Sequence, residues 1–164
     1  MRPNKTLVRK AEELLITGQF FKAQDLLMEA LEKDPSNPEA YYLLGDVLCK
    51  LQRFKDAITV LQKADRLTPR HPRIYHLLGW AIFMNGDIPA GRAFMEVTLK
   101  AEPGNVQLLA DLAVLEMNAG NFDKTQDYIL RGKKISPNDE MLAEVEMVAN
   151  KMKSLSKLAK KQSN

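Results

Sequence analysis

Apolar, small and helix-ending residues recur along this chain at a constant interval of 34 residues. The interval separates four prolines: Pro35, Pro69, Pro103 and Pro137. A column of small residues keeps the same register: Ala11, Gly45, Gly79 and Ala113. A column of bulky apolar residues keeps it too: Phe20, Phe54, Ile88 and Phe122. Independent columns that share one period indicate tandem structural repeats.

Each repeat is predicted to be a pair of helices joined by a short turn. A proline disfavours helix at the preceding residue and lacks an N–H, so the proline of each repeat ends a second helix. The segment 37–39, Asn-Pro-Glu, supplies an N-cap, a proline at the first helical position and an acid in the first turn. Gly18, Gly86 and Gly120 mark the turns inside repeats. The pattern predicts eight helices and no strands over residues 4–139.

A ninth helix is predicted over residues 140–161. Its apolar positions are spaced 4, 3, 4, 3 and 4 residues apart: Met141, Val145, Val148, Met152, Leu155 and Ala159. We expect its first half to cover the open edge of the last repeat, as helical arrays require. The remainder is longer than a cap needs, so it either projects as a solvated end or pairs with a partner helix.

The repeats resemble the tetratricopeptide repeat, whose signature runs aromatic, Leu-Gly, aromatic, Ala, bulky residue and Pro. The second repeat carries it as Tyr41, Leu44-Gly45, Leu48, Ala57, Leu61 and Pro69. The third carries it as Tyr75, Leu78-Gly79, Ile82, Gly91, Met95 and Pro103. The outer repeats depart from it, with Lys10 and Glu116 at apolar positions. The resemblance implies an all-α, right-handed α-solenoid of four helix-turn-helix repeats (4–139) with a C-terminal capping helix (140–161).

Composition and charge narrow the class of protein further. Apolar residues make up 45% of the 164 and charged residues 27%, which excludes wholesale disorder. The net charge of +3 does not by itself imply nucleic acid, and five lysines without an acid follow Met147. The lone Cys49 fits a reducing compartment. With no signal peptide or membrane-spanning run, we expect a cytoplasmic protein, bacterial or archaeal in its compact array.

Residues for catalysis or metal binding are not arranged in any motif that we recognise. The sequence contains no Gly-rich phosphate loop, GxSxG, HExxH or CxxC. His71 and His76 have no nearby cysteine, and Cys49 is expected to be a buried or half-buried thiol. We therefore expect no enzyme activity, no cofactor, no metal and no small-molecule substrate.

By the same resemblance, the first helices of the repeats line a concave groove that binds an extended or helical peptide. The first helix of the third repeat is apolar almost all round, so a second apolar stripe needs a cover of its own. Phe83 and Met117 also lie where neighbouring first helices touch, so packing between repeats is an alternative explanation for both apolar residues. The predicted contact residues are Tyr42, His76, Trp80, Phe83, Met84, Val114 and Met117.

The function that these expectations favour is a protein–protein interaction module, serving as an adaptor, a scaffold or a small chaperone. The alternative is a self-associating structural subunit, a homodimer formed through the groove or the final helix. The lysines of the tail could dock on nucleic acid or an anionic membrane. A solvated terminus explains those lysines more simply, so neither partner is expected.

Overall fold

The computed structural model describes the backbone of residues 3–162 and the side chains of residues 5–159. Over that part of the chain there are nine α-helices and no strands, which confirms the all-α prediction. The helices are α1 (Pro3–Ile16), α2 (Phe20–Lys33), α3 (Pro38–Lys50), α4 (Phe54–Leu67), α5 (Pro72–Met84), α6 (Ile88–Ala101), α7 (Val106–Asn118), α8 (Phe122–Ile135) and α9 (Glu140–Gln162). The side chains of Lys160 and Lys161, two lysines of the predicted basic tail, lie outside the described residues.

The helix boundaries follow the repeat columns. Every second helix begins at the bulky apolar residue of its repeat and ends two residues before its proline. At the starts of first helices, the Asn37 side chain accepts a hydrogen bond from the backbone N–H of Ala40 at 3.1 Å, and Asn105 accepts one from Leu108 at 3.0 Å. These bonds satisfy helix N–H groups that otherwise have no partner within the helix.

Glycines take the left-handed turn in three of the four repeats. Gly18, Gly86 and Gly120 have φ of +74°, +100° and +77°, a region that costs other residues free energy. Gln52, which shares their register in the second repeat, adopts φ of +58° without being glycine. The turn conformation is therefore set by the repeat geometry and not by glycine alone.

The chain forms two compact units, one ending at Phe94 and the other beginning at Met95, so the boundary falls within α6. In the N-terminal unit α1 packs on α2, α3 on both α2 and α4, and α4 on α5. In the C-terminal unit α7 packs on α8, and α9 contacts both. The predicted division into repeats (4–139) and a capping helix (140–161) is a different one, and it stays a prediction.

Small residues allow the close helix contacts that the repeat pattern predicts. A Cβ on Gly45 would lie 2.5 Å from Leu61 Cγ, and a Cβ on Gly91 would lie 2.8 Å from the carbonyl oxygen of Gly79. Both distances are far shorter than van der Waals contact, so a larger residue would force the helices apart.

The first part of α9 covers the last repeat. Leu142, Val145 and Ala149 are buried, and a Cβ on Gly132 of α8 would lie 2.6 Å from Leu142 Cδ1. Lys133 also donates a hydrogen bond to Glu146 across this contact. The first part of α9 thus packs on the last repeat, and its predicted role as a cap stays a prediction.

Candidate functional site

The first helices of the repeats are neighbours in the N-terminal unit, because α1 contacts α3 and α3 contacts α5. Residues 34 apart occupy equivalent positions on these helices, and their exposure follows that register. Ile16, Lys50 and Met84 form a column that is exposed in all three helices. Accessibility at this position is thus a property of the repeat and not of one side chain.

A second column, four residues earlier in each helix, is also accessible. Glu12 is exposed, and Asp46 and Trp80 are half-buried. Together with Tyr42 and Arg73 these two columns form what we call the first-helix surface. Its members are Glu12, Ile16, Tyr42, Asp46, Lys50, Arg73, Trp80 and Met84.

The column that holds Phe83 lies in the interior from α3 onward, whereas Leu15 of α1 is half-buried. Cys49 is 9% exposed and Phe83 8%, and Met117, the equivalent residue of the C-terminal unit, is also 8% exposed. The chain itself buries Phe83 and Met117, so each contributes mainly to packing within its own unit. Of the two interpretations that the sequence leaves open, this burial favours packing.

Trp80 is the single tryptophan of the chain and the largest side chain on the first-helix surface. Its ring is half-buried, with its centroid 5.4 Å from that of Phe83 and the two planes inclined by 60°. Met84, one turn further along α5, is 42% exposed. A rigid indole supported from beneath, beside a flexible thioether, can accept an apolar side chain of varied shape.

Arg73 sets the polar end of the first-helix surface. Its guanidinium lies 4.5 Å from the centroid of the Tyr42 ring and 3.7 Å from Glu39 Oε1. Burial by itself would lower the pKa of Arg73, but Tyr42, Glu39 and Glu12 together raise it. Burial raises the pKa of Tyr42, and Arg73 opposes part of that shift. The arginine is therefore held by an aromatic face and by acids on two other helices.

The resemblance to the repeat family places Arg73 among the groove-facing positions of the third repeat, at the register position of Glu39 in the second. It is not one of the predicted contact residues. A cavity of about 160 Å³ lies beside these groups, lined by Pro38, Glu39, Tyr42, Thr68, His71, Arg73 and Ile74.

Two ionisable groups of α3 are shielded from water. Burial raises the pKa of Asp46, and the charges of Lys50 and Arg73 act against that shift. Burial, helped by Asp46, raises the pKa of the Cys49 thiol to about 12. A thiol with that pKa is almost entirely protonated at neutral pH, which makes it a poor nucleophile.

The two histidines differ in their exposure to solvent. His71 is exposed at the start of α5, and His76 is half-buried within it. Among the described residues, no three His, Cys, Asp or Glu side chains are grouped so that they could hold a metal ion.

No helix in the described range 3–162 is long and apolar enough to cross a membrane.

Val114 and Met117, the remaining predicted contact residues, belong to α7 in the C-terminal unit. Val114 is half-buried, and all the other residues from Leu108 to Met117 are buried. Glu116 has no exposed surface, and Asn121 donates a hydrogen bond of 2.6 Å to its Oε2. The apolar position that the family pattern expects there is thus filled by a buried, hydrogen-bonded carboxylate.

Comparison with known proteins finds the same kind of repeat elsewhere. The family model described as tetratricopeptide repeat matches residues 14–81. A TPR repeat-containing protein of Methanocaldococcus jannaschii is 22% identical over 136 residues, which are 83% of this chain and 24% of that protein. The chain spans about a quarter or less of the length of the first curated relatives it matches.

Solved structures show the same architecture. A crystal structure of MamA superposes with a TM-score of 0.74 at 22% identity, covering 98% of this chain and 88% of that one. The structure of YrrB, described as a TPR protein with an unusual peptide-binding site, gives a TM-score of 0.74 at 19% identity, covering 88% and 75%. These likenesses show the fold, an all-α helical repeat solenoid.

Proposed function

Because the chain is a tetratricopeptide repeat protein, we propose that it is a protein–protein interaction module whose first-helix surface binds an apolar segment of another protein. Modules of stacked helical repeats present extended surfaces for such segments. The segment is a peptide or a helix that places an apolar side chain against Trp80 and Met84.

The observation that carries the proposal is the position of Trp80. An indole that is half-buried on a supporting Phe83 ring is rigid and still keeps apolar area in contact with water. Burying that area together with Met84 would release the water and lower the free energy. Tryptophans in such positions contribute strongly to protein interfaces.

The polar end of the surface supports an apolar partner over an acidic one. Arg73 lies over the Tyr42 ring and against Glu39, and Glu12 acts on it electrostatically. A carboxylate or phosphate of a partner would compete with these acids. The cluster is better suited to fixing the relative position of α3 and α5 and to donating hydrogen bonds at the edge of an interface.

The role that follows is that of an adaptor, a scaffold or a small chaperone acting in the cytoplasm. The likeness to YrrB, whose structure is described by its peptide-binding site, supports the peptide-binding part of this role. Tyr42, His76 and Val114 stay predicted contacts. Phe83 acts from beneath Trp80, and Met117 is proposed to pack within the C-terminal unit.

A displayed library of random peptides, selected on the wild-type protein, tests the proposal. We expect the selected peptides to share apolar residues at helical or alternate spacing. Their affinity should fall by about thirtyfold or more for the Trp80→Ala/Met84→Ala double variant, since a central aromatic anchor is worth about 2 kcal/mol or more. Phe21→Ala is the matched control, because Phe21 is a 72% exposed aromatic on α2, away from the first-helix surface.

Equal affinity of the wild type and the double variant, with circular dichroism showing that both are folded, would rule out the first-helix surface as the binding site. A doubled mass in light scattering that the double variant loses would instead assign this surface to a homodimer.

A further inference from the structure

The outward side of α9 carries a run of exposed apolar side chains. The inward side, with Leu142, Val145 and Ala149, is buried in the C-terminal unit. The outward residues are between 36% and 67% exposed: Met147, Val148, Met152, Leu155 and Leu158. Apolar side chains of this size are rarely exposed to water as a contiguous group. Where such a patch occurs, it usually marks an interaction site.

These residues share one face of the helix. At about 100° per residue, all five fall within an arc of about 140°. The only charged residue in that arc between 147 and 159 is Lys151, whose long stem can lie along apolar surface while its ammonium group reaches water. The outward face of α9 beyond Met147 is therefore apolar apart from one lysine.

All charges of α9 beyond Glu146 are positive. Lys151, Lys153 and Lys157 are described, and the sequence adds Lys160 and Lys161. Lys153 lies 3.1 Å from Asp123, which is itself almost fully exposed. Lys124, whose Nζ lies 4.0 Å from Oε1 of the buried Glu116, adds a further cation beside the start of α8.

We infer that the segment 147–159 of α9 docks on an anionic membrane surface, lying in the plane of the interface with Leu155 and Leu158 inserted. A helix with an apolar face flanked by lysines is suited to that position. The lysines are attracted by the negative potential of acidic headgroups, and the leucines supply the apolar contact that lysines alone lack. A solvated terminus explains the lysines but leaves the exposed leucines unexplained.

The extent of the patch favours a membrane over a protein. A stable protein interface involves about 20 to 30 residues on each side, whereas this face offers five apolar side chains on a single helix. A second copy of α9 aligned in parallel would also bring its lysines against those of the first. A membrane needs no complementary groove and accepts each side chain independently.

The acids of α9 define where the membrane contact ends. Glu140 and Glu144 are exposed and lie on the same arc as the leucines, one to two turns before Met147. Anionic headgroups would repel them. The helix is therefore expected to tilt so that residues beyond Met147 touch the membrane and the start of α9 does not.

Vesicle flotation of the full chain tests the inference. We expect binding to vesicles of phosphatidylserine and phosphatidylcholine, little binding to phosphatidylcholine alone, and a steep loss as salt rises from about 0.1 M to about 0.5 M. Leu155→Ser/Leu158→Ser should weaken binding by about tenfold or more, because both apolar contacts are lost.

Leu130→Ser/Ile135→Ser is the matched control, since both residues are 51% exposed on α8 of the same unit. Binding of the control at the wild-type level supports the inference. It is overturned if the wild type fails to float with anionic vesicles, or if the α9 and α8 variants bind equally. A doubled mass, or binding to an acidic helical peptide, that Leu155→Ser/Leu158→Ser abolishes while wild-type flotation is absent would assign the face to a protein instead.

Discussion

Helices α5 and α7 occupy the same place in successive repeats, yet they differ in what they leave accessible. In α5 the half-buried Trp80 and the exposed Met84 lie on a surface shared with α1 and α3. In α7 the equivalent positions hold Val114, which is half-buried, and Asn118, which is exposed. The accessible positions are the same in both helices, but only α5 fills them with large apolar side chains.

The difference shows how a repeat separates folding from recognition. The interior column, Cys49, Phe83 and Met117, tolerates three different side chains because each needs only to fill space. The neighbouring column carries Asp46, Trp80 and Val114, which differ in charge and size without disturbing the fold. Specificity can therefore change in that column at little cost to stability.

The largest effect is expected for the reactivity of the Cys49 thiol, which belongs to the interior column. Since burial raises the pKa of Cys49 to about 12, its thiolate fraction at about pH 8 should be roughly a thousandfold below that of a free cysteine. Alkylation with iodoacetamide, followed by mass spectrometry, should be slow in the folded protein and fast after denaturation. Met84→Cys in a Cys49→Ser background moves the thiol to the exposed column and should react at nearly the free rate. Equal rates for the two thiols would mean that the columns do not differ in burial.

The next effect concerns the core of α7, where Glu116 replaces the half-buried Ile82 of α5. Glu116→Ala removes a fully buried carboxylate and leaves the amide of Asn121 without this acceptor. We expect the free energy of unfolding to fall by about 3 kcal/mol. Glu116→Gln keeps the volume and an acceptor, so its loss should be about 1 kcal/mol. Urea denaturation measures both, and a loss below about 0.5 kcal/mol for Glu116→Ala would show that the buried carboxylate adds no net stability, which would contradict this prediction.

The smallest effect is expected in the pH dependence of stability. Hydrogen bonds from Lys133 and Gln126 lower the pKa of Glu146 from its ordinary 4.5. A lowered folded-state pKa stabilises the protein above pH 4.5, and this contribution is lost as the pH falls through the folded-state value. The contribution should be below about 1 kcal/mol because the pair is partly solvated. Glu146→Gln should accordingly lose less stability than the wild type between about pH 6 and about pH 3. A steeper loss in the variant would contradict the assignment.

Much of the fold could be predicted because its signals are local. A bulky apolar residue opens each second helix, a proline follows its end, and Asn37 caps the next helix. The exposure of the columns could not be predicted in the same way. A first helix that is apolar on every side gives no periodicity from which to distinguish contact with a neighbouring repeat from contact with a partner. The sequence pattern therefore does not distinguish Phe83 from Trp80. Only the packing of the helices shows that the first is buried and the second half-buried.

Contacts between repeats could not be predicted from the sequence either. Arg73 and Tyr42 are 31 residues apart, and no local pattern joins them. The spacing of apolar residues in α9 predicts one stripe. The structure divides it, since Val145 is 7% exposed and Leu155 is 57% exposed. The length of the predicted helix indicated that its second half exceeds what a cap needs, but helical spacing alone cannot show the residue at which the contact ends.

The most direct test of the central claim uses the emission of the single tryptophan. Trp80 is the only indole in the chain, so its fluorescence reports on the first-helix surface without a label. Titration with a peptide selected on the wild type should shift its emission to shorter wavelength, with the same midpoint as binding measured by calorimetry, because the ligand removes water from the ring. Binding by calorimetry with an unchanged emission would show that the peptide docks elsewhere and would contradict the account.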